Sequence, residues 1–236
     1  MTSLKQYIFY KFNTFCILLL LICGSLFLLM IRLKVTESFY LLFLVWNLFL
    51  AAVPFLISSF LSFKEQPKFS VLLLGILWLL FLPNAPYIVT DLIHLRNSPL
   101  PIIWYDFIMI IAFAITGLYL YYLSAVDMIQ ILKTELGKPA VNYFALLLPF
   151  LVGFGIYLGR YLRWNSWDIL QNPSGLLEDI IAIFSNPIAH REAWIITIGF
   201  GILLMSWQFL LNKVLASKNK NTNYKSNSIE NQISSF

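Results

Sequence analysis

The chain has 236 residues, of which 60% are hydrophobic and 11% charged, with a net charge of +5. Its apolar residues come in long blocks that the surface of a water-soluble domain would not tolerate, which excludes an ordinary soluble fold. The basic residues are spread over loops and tail rather than gathered in one patch, so the expected partner is the lipid bilayer and not nucleic acid.

A hydrocarbon core about 30 Å thick requires about 20 apolar residues of helix. Six blocks qualify: Phe15 to Ile31, Phe39 to Leu61, Phe69 to Val89, Ile102 to Leu123, Val141 to Leu158 and Ala193 to Leu211. The expected fold is therefore all-α, a polytopic transmembrane helical bundle of about six spans. It forms one membrane domain over residues 1–212, followed by a polar, disordered cytoplasmic tail over 213–236.

The first block follows Lys5 and Lys11 and ends at Arg32 and Lys34 with no small-residue cleavage pattern, so it reads as a retained helix. Cys16 and Cys23 are seven residues apart on it, roughly 10 Å, beyond disulfide reach. They read as packing residues. In the second block Asn47 lies at a depth where a side-chain amide needs a partner, and Asn84 of the third block is an eligible one.

The third block contains "FLPNAPYIVTDLIHLR", Phe81 to Arg96. From Phe69 to Leu82 there is roughly 21 Å of helix, too little to cross, so an interruption at Pro83 and Pro86 falls inside the membrane. Two missing N–H donors leave carbonyls that lipid cannot satisfy, and such backbone must be buried in protein or line a polar cavity. Asn84 is read as the N-cap of a restarted helix with Pro86 in its first turn. Tyr87, Asp91 and His94 then share one face, and the restart's dipole would favour an anionic group below them.

Asp106 stands just after Pro101 at the start of the fourth block. Gly155 and Gly159 in the fifth have the spacing that lets helices approach closely within the chain. That block ends in Arg160 and Arg163, followed by Trp164, Asn165, Trp167 and Asp168. In the longest loop, Ser174 would cap an amphipathic helix carrying Leu176, Leu177, Ile180, Ile181 and Phe184, lying on the outer surface. His190 and Arg191 precede the last block.

With six crossings, ten Lys and Arg fall on the side of both termini and six on the other. The positive-inside rule places the termini in the cytoplasm, and the expected location is the cytoplasmic (inner) membrane. The loops after the third and fifth spans then face outward, where their polar residues are free to converge.

The functional expectation is an outward polar pocket for an anionic amphiphile, a phospholipid or isoprenoid phosphate. Arg160 and Arg163 would hold the phosphate and Asn84 and Tyr87 shape the floor, with Asp106, Asn165 and Asp168 alongside. Asp91 and His94 would position or move a proton, with His94 as general base if headgroup hydrolysis or transfer occurs. Plainer readings exist for each: tryptophans as interfacial anchors, arginines snorkelling to lipid phosphate, Asp106 complementing a helix start.

His94, Asp91, Asp106 and His190 are ligand types suited to zinc or manganese, but no H-E-x-x-H spacing accompanies them, and no cofactor is identified. No G-x-S-x-G, P-loop or dinucleotide fingerprint is present in a suitable context. Two alternatives stand beside the lipid reading: a small-solute transporter, since broken helices often bind substrate, and a non-enzymatic component of a cell-envelope complex with contacts near Trp167 or Trp194.

"LPNAPYIVTDLIHL" together with "GRYLRWNSWD" resembles a family of bacterial integral membrane proteins catalogued as domain of unknown function 1361. The resemblance covers nearly the whole chain apart from the tail. It implies a multi-helix bacterial membrane protein and brings no activity, so no residue role is carried over from it.

Overall fold

The computed structural model describes residues 11–63 and 66–233, with side chains through Val214. Helix α1 is Phe12–Thr36 and α2 is Phe43–Phe63, entered through a 3₁₀ turn at Tyr40–Leu42. The third span comprises α3 (Lys68–Phe81), a four-residue α4 (Asn84–Tyr87) and a 3₁₀ run, Ile88–Asn97. A 3₁₀ turn at Leu100–Ile102 leads into α5 (Ile103–Leu136), which is followed by α6 (Lys138–Arg160). Short helices α7 (Asp168–Gln171) and α8 (Pro173–Ser185) precede α9 (Arg191–Ile233).

Six segments are long and apolar enough to cross a membrane, and the described residues contain no strand, so the fold is the all-α multi-pass bundle expected. Their outer surfaces are apolar too: Leu20, Phe69, Trp104 and Phe209 are each more than 70% exposed. Water would penalise such a surface, whereas lipid accepts it. The polar tail read from residue 213 onward lies, past Val214, outside the described side chains.

The centre of the bundle is α5. Met109, Ile110, Phe113, Leu120, Tyr121 and Met128 are all buried on it, and it packs against α1, α2, α4 and the 3₁₀ run. Lipid tails are as apolar as leucine, so small residues and polar contacts hold such helices together. Gly117 is an example: a Cβ there would run into the Ala85 carbonyl of α4. Ser25 pairs with Thr116 at 3.1 Å, and the Trp78 indole N–H donates to Ser124 at 2.7 Å.

Helix α5 runs past the expected end at Leu123 to Leu136, and on that extension Asp127 is bound by Lys11 at 2.5 Å, tying it to the start of α1. Helix α1 buries Leu18, Ser25, Leu29 and Arg32, one stripe of its surface. Cys16 and Cys23 fall off that stripe and are exposed, which corrects their reading as packing residues. The amphipathic helix is α8, capped by Asn172, whose side chain accepts from the Gly175 N–H at 3.1 Å, and not by Ser174. Pro173 occupies its first position, one residue ahead of Ser174, which fixes the start there. One side of α8 carries Ile183 into a cluster with Tyr157 and Ala193, while Leu177, Ile181 and Phe184 are exposed on the other.

Candidate functional site

At the prolines the third span loses part of its α-helical hydrogen bonding, the Tyr87 N–H still reaching the Pro83 carbonyl at 3.0 Å, but not its direction: Leu82, Pro83 and Ile88 all keep right-handed helical dihedrals. The Leu82 carbonyl, which would have faced the missing N–H of Pro86, accepts instead from Ala85 at 3.2 Å. Phe81 O is then taken by the Asn84 side chain at 3.0 Å, and Leu80 O by the Ser166 hydroxyl at 2.9 Å. Asn84 also donates to Ser166 at 3.0 Å. The buried carbonyls are thus satisfied by protein, as a bilayer requires.

Two expectations change here. Asn84 is the first helical residue and makes no cap bond, because Pro83 occupies the cap position. A four-residue α4 also has no dipole of consequence for an anion.

Gly155 and Gly159 face this region. A Cβ on Gly155 would collide with the Pro83 ring, and one on Gly159 would touch the Tyr87 ring at 3.6 Å. The two glycines therefore seat α6 against α4, and the next residue, Arg160, reaches across. Its Nη1 donates to the Tyr87 hydroxyl at 3.1 Å and its Nη2 to the Thr90 carbonyl at 2.8 Å. The same Nη1 stands 3.3 Å from Asp91 Oδ1, and the guanidinium lies 5.2 Å from the Tyr87 ring centre.

Asp91 is fully buried. Its Oδ2 accepts from Asn47 Nδ2 at 2.8 Å, so the partner of Asn47 is Asp91 and not Asn84. Its Oδ1 makes no hydrogen bond and faces Arg160 and, at 3.9 Å, His94 Nε2. Removing two charges from water is costly unless each is countered, and here a cation and an amide do so.

The expected α-helical stripe of Tyr87, Asp91 and His94 is rewound. With three residues per turn, Ile88, Asp91, His94 and Asn97 form one line. Tyr40 spans the C-terminal end of that line, its hydroxyl 2.9 Å from His94 Nδ1 and accepting from Asn97 Nδ2 at 2.8 Å. The Phe43 ring lies 4.6 Å from the imidazole. Tyr40 and Asn97 were missed in the sequence; reading "DLIHLRN" at a period of three would have grouped Asn97 with Asp91 and His94.

Beside this network is a cleft of about 410 Å³ between α2, the third span and α6, roofed by the loop after α6 and by α8. Leu50, Leu79, Leu158, Leu176 and Ile180 contribute apolar lining, and Asn47, Asn84, Tyr87, Asn165 and Ser166 polar lining. Asn47 and Tyr87 belong to both structures, since each lines the cleft and hydrogen-bonds a member of the Asp91–Arg160 pair.

The other expected residues divide. Asp106 is held apart from the cleft, fully buried and bound by Arg32, with Nε to Oδ1 at 2.6 Å and Nη2 to Oδ2 at 3.3 Å. Arg32 also bonds Thr36. The Arg32 pairing was unforeseen, although Ser25 and Arg32 sit seven residues apart as the buried polar positions of α1. Arg163 is exposed, with a left-handed backbone at φ 63° that ends α6. Asp168 accepts from the backbone N–H of Asn165 at 2.6 Å, a local turn that shapes the roof. Among the described residues no three His, Cys, Asp or Glu side chains gather, so the conceivable zinc or manganese set of His94, Asp91, Asp106 and His190 does not form.

The family described as "Protein of unknown function (DUF1361)" matches residues 46–207. The chain belongs to this family. The matched stretch contains Asn47, the rewound third span, Arg160 and the cleft, while Arg32 and Tyr40 precede it. No curated protein and no solved structure matches the chain.

Proposed function

We propose that this DUF1361 member is a multi-pass protein of the cytoplasmic (inner) membrane, both termini inside, whose cleft binds an anionic amphiphile, a phospholipid or an isoprenoid phosphate. The observation that carries the reading is the cleft's mixed lining, long apolar side chains together with amides and hydroxyls, two of which bond the buried ion pair behind it. An acyl or isoprenoid chain suits the walls, and amides and hydroxyls suit a headgroup. Arg160 is committed to Asp91, Tyr87 and Thr90, so its part is to position Tyr87. Arg163 lies in the turn between the lining residues Gly159 and Trp164, has no carboxylate partner among the described residues, and is the cation available to a phosphate.

His94 does not line the cleft, and its two ring nitrogens face Tyr40 and Asp91. Headgroup hydrolysis with His94 as base would require it to leave both, so binding is the better-supported activity.

A test is lipid extraction from purified protein. Ile180→Trp should fill the cleft and remove the co-purifying phosphate lipid, whereas Leu177→Trp, on the exposed side of α8, should retain it. Equal retention by both variants would remove the proposal. Transport is the second reading, favoured by buried charges and a ten-residue 3₁₀ run in one span. Solute uptake into proteoliposomes that is lost in both Asn47→Leu and Asn84→Leu would put it first.

A further inference from the structure

Among the described residues the buried charges are paired: Lys11 with Asp127, Arg32 with Asp106, Arg160 with Asp91. Lys68 and Glu135 behave differently. Both are exposed, and neither side chain has a hydrogen bond or ion pair with a described residue, although they line the same cavity. That cavity, about 520 Å³, is a groove between the start of the third span, the end of α5 and the start of α6.

Its remaining lining is apolar, including Leu72, Leu132, Val141 and Phe144. Trp78 also contributes, and its only polar atom is already satisfied by Ser124. Gly75 opens the space, since a Cβ there would meet nothing within 4 Å. Water gains little in such a groove, and an empty one forfeits dispersion contacts along its length. Inside a bilayer the molecule at hand to fill it is a lipid chain. The mouth then selects the headgroup, because a cation and an anion that line one groove without pairing match a molecule carrying both charges.

We infer that this groove is a binding site for a zwitterionic aminophospholipid of the bilayer. One acyl chain lies between the third span, α5 and α6, the phosphate meets Lys68 and the primary ammonium meets Glu135. The ammonium N–H groups donate to the carboxylate, which a choline headgroup has no N–H to do. An anionic phosphatidylglycerol would pair its phosphate with Lys68 but bring no cation to Glu135. The site is separate from the outer cleft and stands whether or not that cleft binds lipid.

The experiment uses the full chain carrying Ile180→Trp, so that the outer cleft is blocked, with native mass spectrometry after incubation with phosphatidylethanolamine, phosphatidylglycerol or phosphatidylcholine of matched chains. Phosphatidylethanolamine should be retained about threefold over the other two. Glu135→Gln should abolish discrimination against phosphatidylglycerol, and Gly75→Leu should strip all three lipids. Should Gly75→Leu fail to fold, Leu72→Trp fills the same space from the neighbouring turn. Equal retention of phosphatidylethanolamine and phosphatidylglycerol before any charge change, or undiminished retention with the groove filled, would overturn the inference.

Discussion

Asn47 and Asp91 are joined across the second and third spans by a 2.8 Å hydrogen bond, and Asn47 is at the same time part of the cleft wall. The cleft and the charge behind it therefore share one side chain. Replacing Asn47 by leucine leaves a buried carboxylate oxygen without its donor, which should lower stability by about 1–3 kcal/mol. Thermal unfolding of the detergent-solubilised protein checks this; a melting temperature equal to wild type would mean that Asp91 does not depend on Asn47.

The ion pair behind that wall should show strong coupling. Arg160→Gln alone strands the buried Asp91 charge and should cost about 3–5 kcal/mol. Adding Asp91→Asn should recover part of the loss, because the uncompensated charge is gone, although the Thr90 and Tyr87 contacts of Arg160 are not restored. Strictly additive losses in a denaturant series would show that the two residues act independently.

Close packing at the prolines gives a reciprocal pair. Gly155→Ala places a methyl group against the Pro83 ring and should destabilise by about 1–3 kcal/mol. Pro83→Ala in the same chain removes the ring and should relieve most of that loss. Melting temperatures of the two single variants and the double variant decide it.

Arg32 and Asp106 should separate stability from binding. Breaking this buried pair with Arg32→Leu should cost about 3–5 kcal/mol. The folded fraction should still co-purify lipid at the wild-type ratio, since neither residue lines the cleft. Loss of lipid from correctly folded Arg32→Leu protein would extend the site toward α1.

The six spans were legible because hydrophobic length alone decides whether a helix can cross a bilayer, and the glycines at 155 and 159 announced a close approach. The partners were less legible. Asn47 was identified as needing one, but the choice between Asn84 and Asp91 depended on backbone bonding at the break, where Asn84 is used up by the Phe81 carbonyl and Ser166. Asp106 looked like a helix-start residue beside the site, and only packing of α1 on α5 gives it to Arg32. The change from 3.6 to 3.0 residues per turn after Tyr87 moved His94 and Asn97 into line with Asp91, a shift that the α-helical period of the apolar residues conceals.

The central claim is a cleft that takes a lipid chain. Its most direct test is photocrosslinking in membranes with a phospholipid carrying a diazirine in its acyl chain, followed by peptide mapping. Adducts should concentrate on Leu50, Leu158 and Ile180 and disappear in Ile180→Trp. Adducts confined to outward residues such as Leu20 and Phe209, with the cleft unlabelled, would contradict it.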